Sequence, residues 1–320
     1  MRIPTAIFLI ISTCSFGQSA MRVILDTDIS PDYDDVGAMA LLHTFQDQGK
    51  AKILATISCN AYEETVPTLS VLNTYFGRPE IPIGVVKAKV PYEKCKEGWA
   101  AAINKKYPHK LKSNDEATEA VSLYRKVLAA QPDKSVTIIT VGFFTNLANL
   151  LSSPPDKTSP LSGKDLVAKK VKQLVSMAAG IGKDGKSQRE FNVWVDAKAT
   201  RKVFNEWPSP ILISPFEIGE KVYTGIPLIN NKAIKNSPVK EAYEIAIAWN
   251  KSEVGRCSWD QTAVLVAIAG YSPWFDIKKV NFDIKDDGTN VLIPGEKFTY
   301  LIEKLPPKEV AAEIERMMGR

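Results

Sequence analysis

Five carboxylates fall within ten residues in the stretch Asp26-Thr-Asp28-Ile-Ser-Pro-Asp32-Tyr-Asp34-Asp35. Concentrating that much negative charge costs on the order of several kcal/mol unless something cancels it. The stretch follows an apolar run, Met21–Leu25, that reads as a buried β-strand, and precedes an apolar, helix-like segment from Val36 to Phe45. At the carboxyl end of a strand in an α/β fold, the neutraliser to expect is a bound hard cation. The chain therefore reads as a metal-dependent enzyme.

The elements that must position these groups alternate along the first two-thirds of the chain. Strands are expected at Arg22–Asp26, Lys52–Ser58, Pro82–Val86, Val136–Val141, Gln173–Met177 and Pro210–Ser214. Helical patterns lie between them at Asp35–Gln48, Glu63–Tyr75, Ala117–Ala130, Asn146–Leu151 and Ala197–Asn205. Near-continuous apolar strands alternating with helices predict an α/β fold with a mostly parallel central sheet and helices on both faces. The last third changes character, with helices at Pro238–Asn250, Asp260–Ala269 and Pro306–Met318 and short strands at Val280–Ile284, Thr289–Ile293 and Phe298–Ile302. Asp286-Asp287-Gly288 has the chemistry of a hairpin turn. No linker composition appears, so the expectation is a signal segment over 1–20 and one domain over 21–320 with a C-terminal helical and β-hairpin elaboration.

Strand ends of a parallel sheet open into one crevice. The loops there are distinctive: the aspartate cluster, Ser58-Cys59-Asn60, Val141-Gly-Phe-Phe-Thr145-Asn146, and Met177-Ala-Ala-Gly180 leading to Arg189-Glu190-Phe191-Asn192. Ser258-Trp259-Asp260 opens a late helix and offers one more carboxylate. Taken singly, these are weak. Asp26 reads as a structural residue, Thr145-Asn146 as a helix N-cap, Met177 as core and Trp259 as either packing or a base platform; their co-occurrence is what carries weight.

Together, Asp-Thr-Asp with a downstream Asp-Asp, a strand followed by Thr-Asn-Leu, a Glu-Phe-Asn-x-x-x-Asp segment and a late Trp-Asp resemble the calcium-dependent, inosine-uridine preferring nucleoside hydrolases, from about residue 22 to about residue 270. The resemblance implies a Rossmann-like nucleoside hydrolase fold. It implies one Ca²⁺ held by Asp28, Asp35, Asp260 and the backbone carbonyl of Thr145, with oxygen donors suited to a hard cation. Asp28 would also serve as general base on a calcium-bound water. Asp34 and Asn192 would grip the ribose hydroxyls, Glu190 would lie near the 5′ hydroxyl, and Asn60 and Met177 would line the sugar pocket. The reaction implied is hydrolysis of the N-glycosidic bond of a ribonucleoside to free base and ribose, by a homo-oligomer (dimer or tetramer).

Three departures matter. Five residues separate Asp28 from Asp34 instead of the usual three, with Ser30-Pro31 where many relatives carry glycine. Ala178-Ala179 replace a glycine pair after Met177. Trp259 stands where base-nonspecific members carry a histidine that protonates the leaving base. The two histidines, His43 and His109, sit in no motif. A tryptophan there resembles the purine-preferring members, in which stacking helps the base depart; Trp99 or Tyr223 would form the opposite wall.

Rival readings leave residues without roles. A haloacid-dehalogenase-like, Mg-dependent phosphatase would use Asp26 and Asp28 but not Glu190-Phe-Asn192 or Trp259-Asp260. A non-catalytic, calcium-stabilised riboside- or sugar-binding protein would release no base. An EF-hand starting at Asp26 fails, because Pro31 stands where glycine is needed and Gly37 where the bidentate glutamate belongs.

The 320 residues carry a formal net charge of +5, with lysines and arginines scattered rather than clustered, which argues against a nucleic-acid partner. The first twenty residues follow signal-peptide grammar: Arg2, the apolar run Ala6 to Ile11, then Gly17, Ser19 and Ala20. That run is too short for a stable membrane span, so an exported (periplasmic or secreted) chain is expected. Thr13 before Cys14 makes a poor lipidation signal. Cys59, Cys95 and Cys257 have no framework spacing and are expected as isolated thiols.

Overall fold

The computed structural model describes residues 20–87, 90 and 93–319. Residues 1–19 of the expected signal segment, with Cys14, lie outside the described residues. Twelve strands are described in chain order: β1 (Met21–Thr27), β2 (Ala51–Ser58), β3 (Ile83–Val85), β4 (Thr118–Glu119), β5 (Val136–Thr140), β6 (Val171–Met177), β7 (Ser187–Gln188), β8 (Ile211–Ser214), β9 (Tyr223–Thr224), β10 (Arg256–Cys257), β11 (Phe275–Ile284) and β12 (Asn290–Glu303).

Ten of them form one sheet in the order β11-β12-β8-β6-β5-β1-β2-β3-β4, with β7 against β12, and β9–β10 form a separate ribbon. All neighbours from β12 to β4 pair in parallel; the antiparallel pairs of this sheet are β11–β12 and β7–β12, and the β9–β10 ribbon is antiparallel too. Successive β1 residues point to opposite faces: Val23 and Leu25 enter one apolar cluster, Ile24 the other. Both faces are therefore covered, which is why these strands read as continuous apolar runs. The fold class matches the sequence expectation.

The last third differs in one respect. The segments expected as two strands, Thr289–Ile293 and Phe298–Ile302, are one long strand, β12. Its partner pairing jumps from Asn281↔Ile293 to Val280↔Phe298, so Pro294-Gly-Glu-Lys297 bulges out. That polar bulge interrupts the apolar alternation and made the strand look like two. β12 then runs parallel to β8, so the hairpin extends the main sheet.

The site's place follows from topology. From β1 the chain works outward through β2, β3 and β4, then returns to β5 on the other side of β1. This reversal leaves a crevice beyond the carboxyl ends of β1 and β5, where ligands bind in open α/β sheets. The helix Asp34–Asp47 begins at that crevice and packs against the helix Trp259–Ala269, which begins there too. Carboxylates in a helix's first turn are favoured by its dipole, and here two such turns are adjacent.

Two backbone positions shape the loops that flank Asp28. A side chain at Gly142, just past β5, would put its Cβ 2.5 Å from the Asp28 amide nitrogen and 2.7 Å from Cys59 Sγ. Ser30 has φ +138°, a conformation that glycine adopts freely and serine does not. These two sites give opposite expectations in thermal melts. Gly142→Ala should lose about 2 kcal/mol through overpacking against backbone. Ser30→Gly should gain about 1 kcal/mol by relieving strain. A neutral Gly142→Ala, or a destabilised Ser30→Gly, would contradict this account of the two loops.

Candidate active site

Asp26 is the penultimate residue of β1 and is fully buried. Tyr124 Oη donates to its Oδ2 at 2.7 Å and Asn146 Nδ2 at 3.1 Å. Burial outweighs these bonds and pushes its pKa up to about 7. Asp26 is thus a buried anchor behind the crevice. The chain then leaves the sheet, helped by the Ile29 amide, which donates to Thr27 Oγ1 at 3.0 Å.

Asp28, Asp34, Asp35 and Asp260 are all buried and line one cavity of about 190 Å³, together with Asp32, Val141, Met177, Glu190, Phe191, Asn192, Phe216, Arg256 and Trp259. Carboxylate oxygens of Asp34, Asp35 and Asp260 lie within 4.8 Å of one another, an arrangement able to hold a metal ion. Burial, then the charge of a neighbouring aspartate, pushes the carboxyls of Asp28, Asp35 and Asp260 well above their ordinary range. Asp35 accepts a hydrogen bond from the Thr27 hydroxyl through Oδ1, while its buried Oδ2 has no partner among the described residues. A buried acceptor left unpaired among like charges is what a cation would satisfy. All of these donors are oxygens, which suits a hard ion.

The opposite wall is built around Glu190. Its carboxylate caps a short helix by accepting from the amides of Asn192 (2.9 Å), Val193 (3.2 Å) and Ala179 (3.0 Å). Burial pushes its pKa up to about 7. Ala179 sits at φ +58°, so the chain keeps the left-handed turn that a glycine pair would make easily. Asn192 Nδ2 donates to the carbonyls of Val141 (3.1 Å) and Met177 (3.2 Å), which fixes its amide at the cavity.

Two residues expected at the site stand elsewhere. Asn60 is fully buried behind Asp28 and does not line the cavity. Its Nδ2 donates to the carbonyls of Asp28 (3.1 Å) and Glu93 (2.8 Å), and its Oδ1 accepts from the Tyr62 and Glu93 amides. It holds the Asp28 backbone in place. Thr145 opens the helix Thr145–Ser152, and its hydroxyl donates to Asp196 at 2.6 Å in a separate cleft. Neither Thr145 nor Asn146 caps that helix, whose N-cap is Phe144; the Asn146 amide reaches Asp26 and the Ser58 carbonyl instead. The residue of this segment that lines the cavity is Val141, four positions earlier.

Neither aromatic expected opposite Trp259 is at the cavity. Trp99 is fully buried in the core, and Tyr223 is exposed beside another cleft. Trp259 stacks on Phe216, with ring centroids 5.3 Å apart, and donates from Nε1 to the Phe216 carbonyl at 2.9 Å. Both histidines are remote from the cavity lining. His43 is buried against Phe76 and Asn73, and burial drives its pKa down to about 3. Cys59, Cys95 and Cys257 are free thiols.

Sequence reasoning missed Arg256. Its guanidinium bonds Asp34 Oδ1 through Nε and Nη2, both at 3.1 Å, and Nη2 lies 2.7 Å from Asp32 Oδ2. It also lies 4.9 Å from the Trp259 ring centre and 5.2 Å from that of Tyr33. The available signal was a lone basic residue three positions before Trp259.

Comparison with known proteins converges on one family. A family model described as inosine-uridine preferring nucleoside hydrolase matches residues 23–309. The chain is 24% identical over 191 residues to an inosine-uridine preferring nucleoside hydrolase of Leishmania major, covering 58% of this chain and 57% of that protein. It is 27% identical over 210 residues to the pyrimidine-specific ribonucleoside hydrolase RihA of Salmonella paratyphi C, covering 63% of this chain and 62% of that one. The chain thus spans less than two-thirds of the length of these two relatives. Among solved structures, a purine-preferring ribonucleoside hydrolase from Gardnerella vaginalis superposes with a TM-score of 0.70 at 16% identity, over 93% of this chain and 98% of that one. That likeness is one of fold. The family match spans the aspartate loop, the Glu190–Asn192 wall and Asp260, and on it the chain belongs to the inosine-uridine preferring nucleoside hydrolases.

Proposed function

We propose that this chain hydrolyses the N-glycosidic bond of ribonucleosides, with purines preferred, giving free base and ribose. The observation that carries the proposal is the meeting of Asp28 and Asp35, near the start of the chain, with Asp260, near its end, at the floor of one cavity walled by Asn192, Glu190 and Trp259. The phosphatase and binding-protein readings give these walls no task.

Calcium is the proposed cofactor, held by Asp28, Asp35 and Asp260, with the Val141 carbonyl in place of that of Thr145; when bound it would supply a Lewis acid that makes a nearby water more acidic. Asp28 accepts that water's proton as the water oxygen bonds to C1′. Asn192 and Asp34 orient the sugar hydroxyls, which converts binding energy into alignment at C1′. The surrounding carboxylates favour the positive charge that develops on the sugar ring. Trp259, Phe216 and Phe191 give the cavity an aromatic lining suited to the larger base. Export and assembly into a dimer or tetramer belong to the same proposal, the first resting on the first twenty residues alone.

Release of reducing sugar from inosine, guanosine, adenosine, uridine and cytidine tests this reading. Purines should be turned over fastest, and Asp28→Ala should lose at least about 1,000-fold. Undiminished activity in that variant would overturn Asp28 as the base.

Stability supplies a second test. The raised carboxyls of Asp28, Asp35 and Asp260 keep their protons in the metal-free fold at pH values where the unfolded chain has lost them. Asp26 and Glu190, both at about 7, do the same. The folded state then binds more protons, so stability falls as pH rises through these values. Chelator-treated protein should melt progressively lower from about pH 5 to about pH 8, and millimolar calcium should raise the melting point more at the higher pH. Equal melting with and without calcium at the higher pH would contradict the metal site.

A further inference from the structure

The cavity has a charge problem that the proposed chemistry makes acute. When the bond between C1′ and the base nitrogen breaks, its electron pair leaves with the base. Six carboxylates line the cavity: Asp28, Asp32, Asp34, Asp35, Glu190 and Asp260. A departing anion would be repelled by most of its surroundings. No histidine lines the cavity to protonate it, and Trp259 offers no proton there because its Nε1 is bonded to the Phe216 carbonyl.

Arg256 is the sole basic residue among those lining the cavity. It is rigidly held. Asp34 and Asp32 engage Nε and Nη2, and the rings of Tyr33 and Trp259 flank the guanidinium. Nη1 has no hydrogen bond to any described residue. A planar, always-charged fork with one free edge, seated beside an aromatic platform, is a ready acceptor-binding group. The loop that is two residues longer than the usual spacing carries both Asp32 and Tyr33, so the departure from the family pattern builds the seat of this arginine.

Resting on the hydrolase reading, we propose that Arg256 is a catalytic residue that binds the leaving base and stabilises its developing negative charge, in place of a general acid. The C1′–N bond breaks with its electron pair going to the base nitrogen. The water oxygen bonds to C1′ and gives one proton to Asp28. The base departs as an anion paired with the guanidinium and then takes a proton from solvent, while Asp28 returns its own. Arginine does not give up its proton, so it acts by charge and hydrogen bonding alone. Trp259 then serves as the platform that holds both the guanidinium and the base in plane, and bases with acceptor atoms facing Nη1 are favoured.

The test compares two leaving groups on the calcium-loaded chain. Inosine has a poor leaving group that needs stabilisation, whereas p-nitrophenyl β-D-riboside has one that departs unaided. Arg256→Gln should lose about 100-fold in kcat on inosine and less than about 5-fold on the nitrophenyl riboside, and Arg256→Lys should recover part of the inosine rate. Should the glutamine variant fold poorly, the lysine variant keeps the charge and should show the same selective loss in milder form. Equal losses on both substrates would mean that Arg256 only positions Asp34, and would overturn the proposal. Undiminished or faster inosine turnover by Arg256→Gln would overturn it as well. A wild-type chain that cleaves neither substrate would instead sink the hydrolase reading, and this inference with it.

Discussion

Mutual repulsion among buried carboxylates is the constraint around which this molecule is organised. Asp28, Asp35 and Asp260 sit at near-zero exposure with their proton affinities pushed up by burial and then by the charge of neighbouring aspartates, Asp34 among them. A fold tolerates such a cluster only by protonating it, pairing it or placing a cation within it. The surrounding structure makes the third route natural. Two helix starts face each other, and their first-turn dipoles favour negative charge. Gly142 lets β5 approach the Asp28 backbone, and Asn60 clamps that backbone from behind. Asp26, held by Tyr124 and Asn146, ties the same strand end to the helices beneath.

A second charge arrangement lies beside the first. Arg256 balances Asp32 and Asp34 in the cavity lining. Burial alone would weaken its charge, but the two aspartates more than offset this and raise its proton affinity. The cavity therefore has two electrostatic halves: an anionic floor suited to a cation and a positive sugar, and one fixed positive edge suited to what leaves. A carboxylate floor that stabilises an oxocarbenium-like sugar is hostile to an anionic leaving group, so a site with no histidine needs some other source of positive charge.

Much of this was legible in the chain. The parallel strands announced themselves because both of their faces are buried, so Val136–Thr140 and Ile211–Ser214 are unbroken apolar runs. Asp260 was placed beside Asp28 by the order of motifs rather than by local pattern, since more than two hundred residues separate them. What stayed hidden depends on contacts that leave no period in the sequence. Arg256 lies on a two-residue ribbon paired with Tyr223–Thr224, too short to alternate. Asn60 looks like a pocket residue, yet its amide is fully engaged by backbone groups. Thr145 and Val141 flank the same turn, and only the three-dimensional path shows that Val141 reaches the cavity while Thr145 turns to Asp196. The strand β12 was split by its Pro294–Lys297 bulge, which mimics a turn.

We propose that carboxylates from the two ends of the chain share one divalent ion. Calorimetric titration of chelator-stripped protein with calcium addresses it directly, using the wild type, Asp35→Asn and Asp260→Asn. One calcium per chain in the wild type, with binding weakened at least about 100-fold in each variant, is the predicted result. Calcium binding that either substitution leaves intact, or no binding by the wild type, would contradict it.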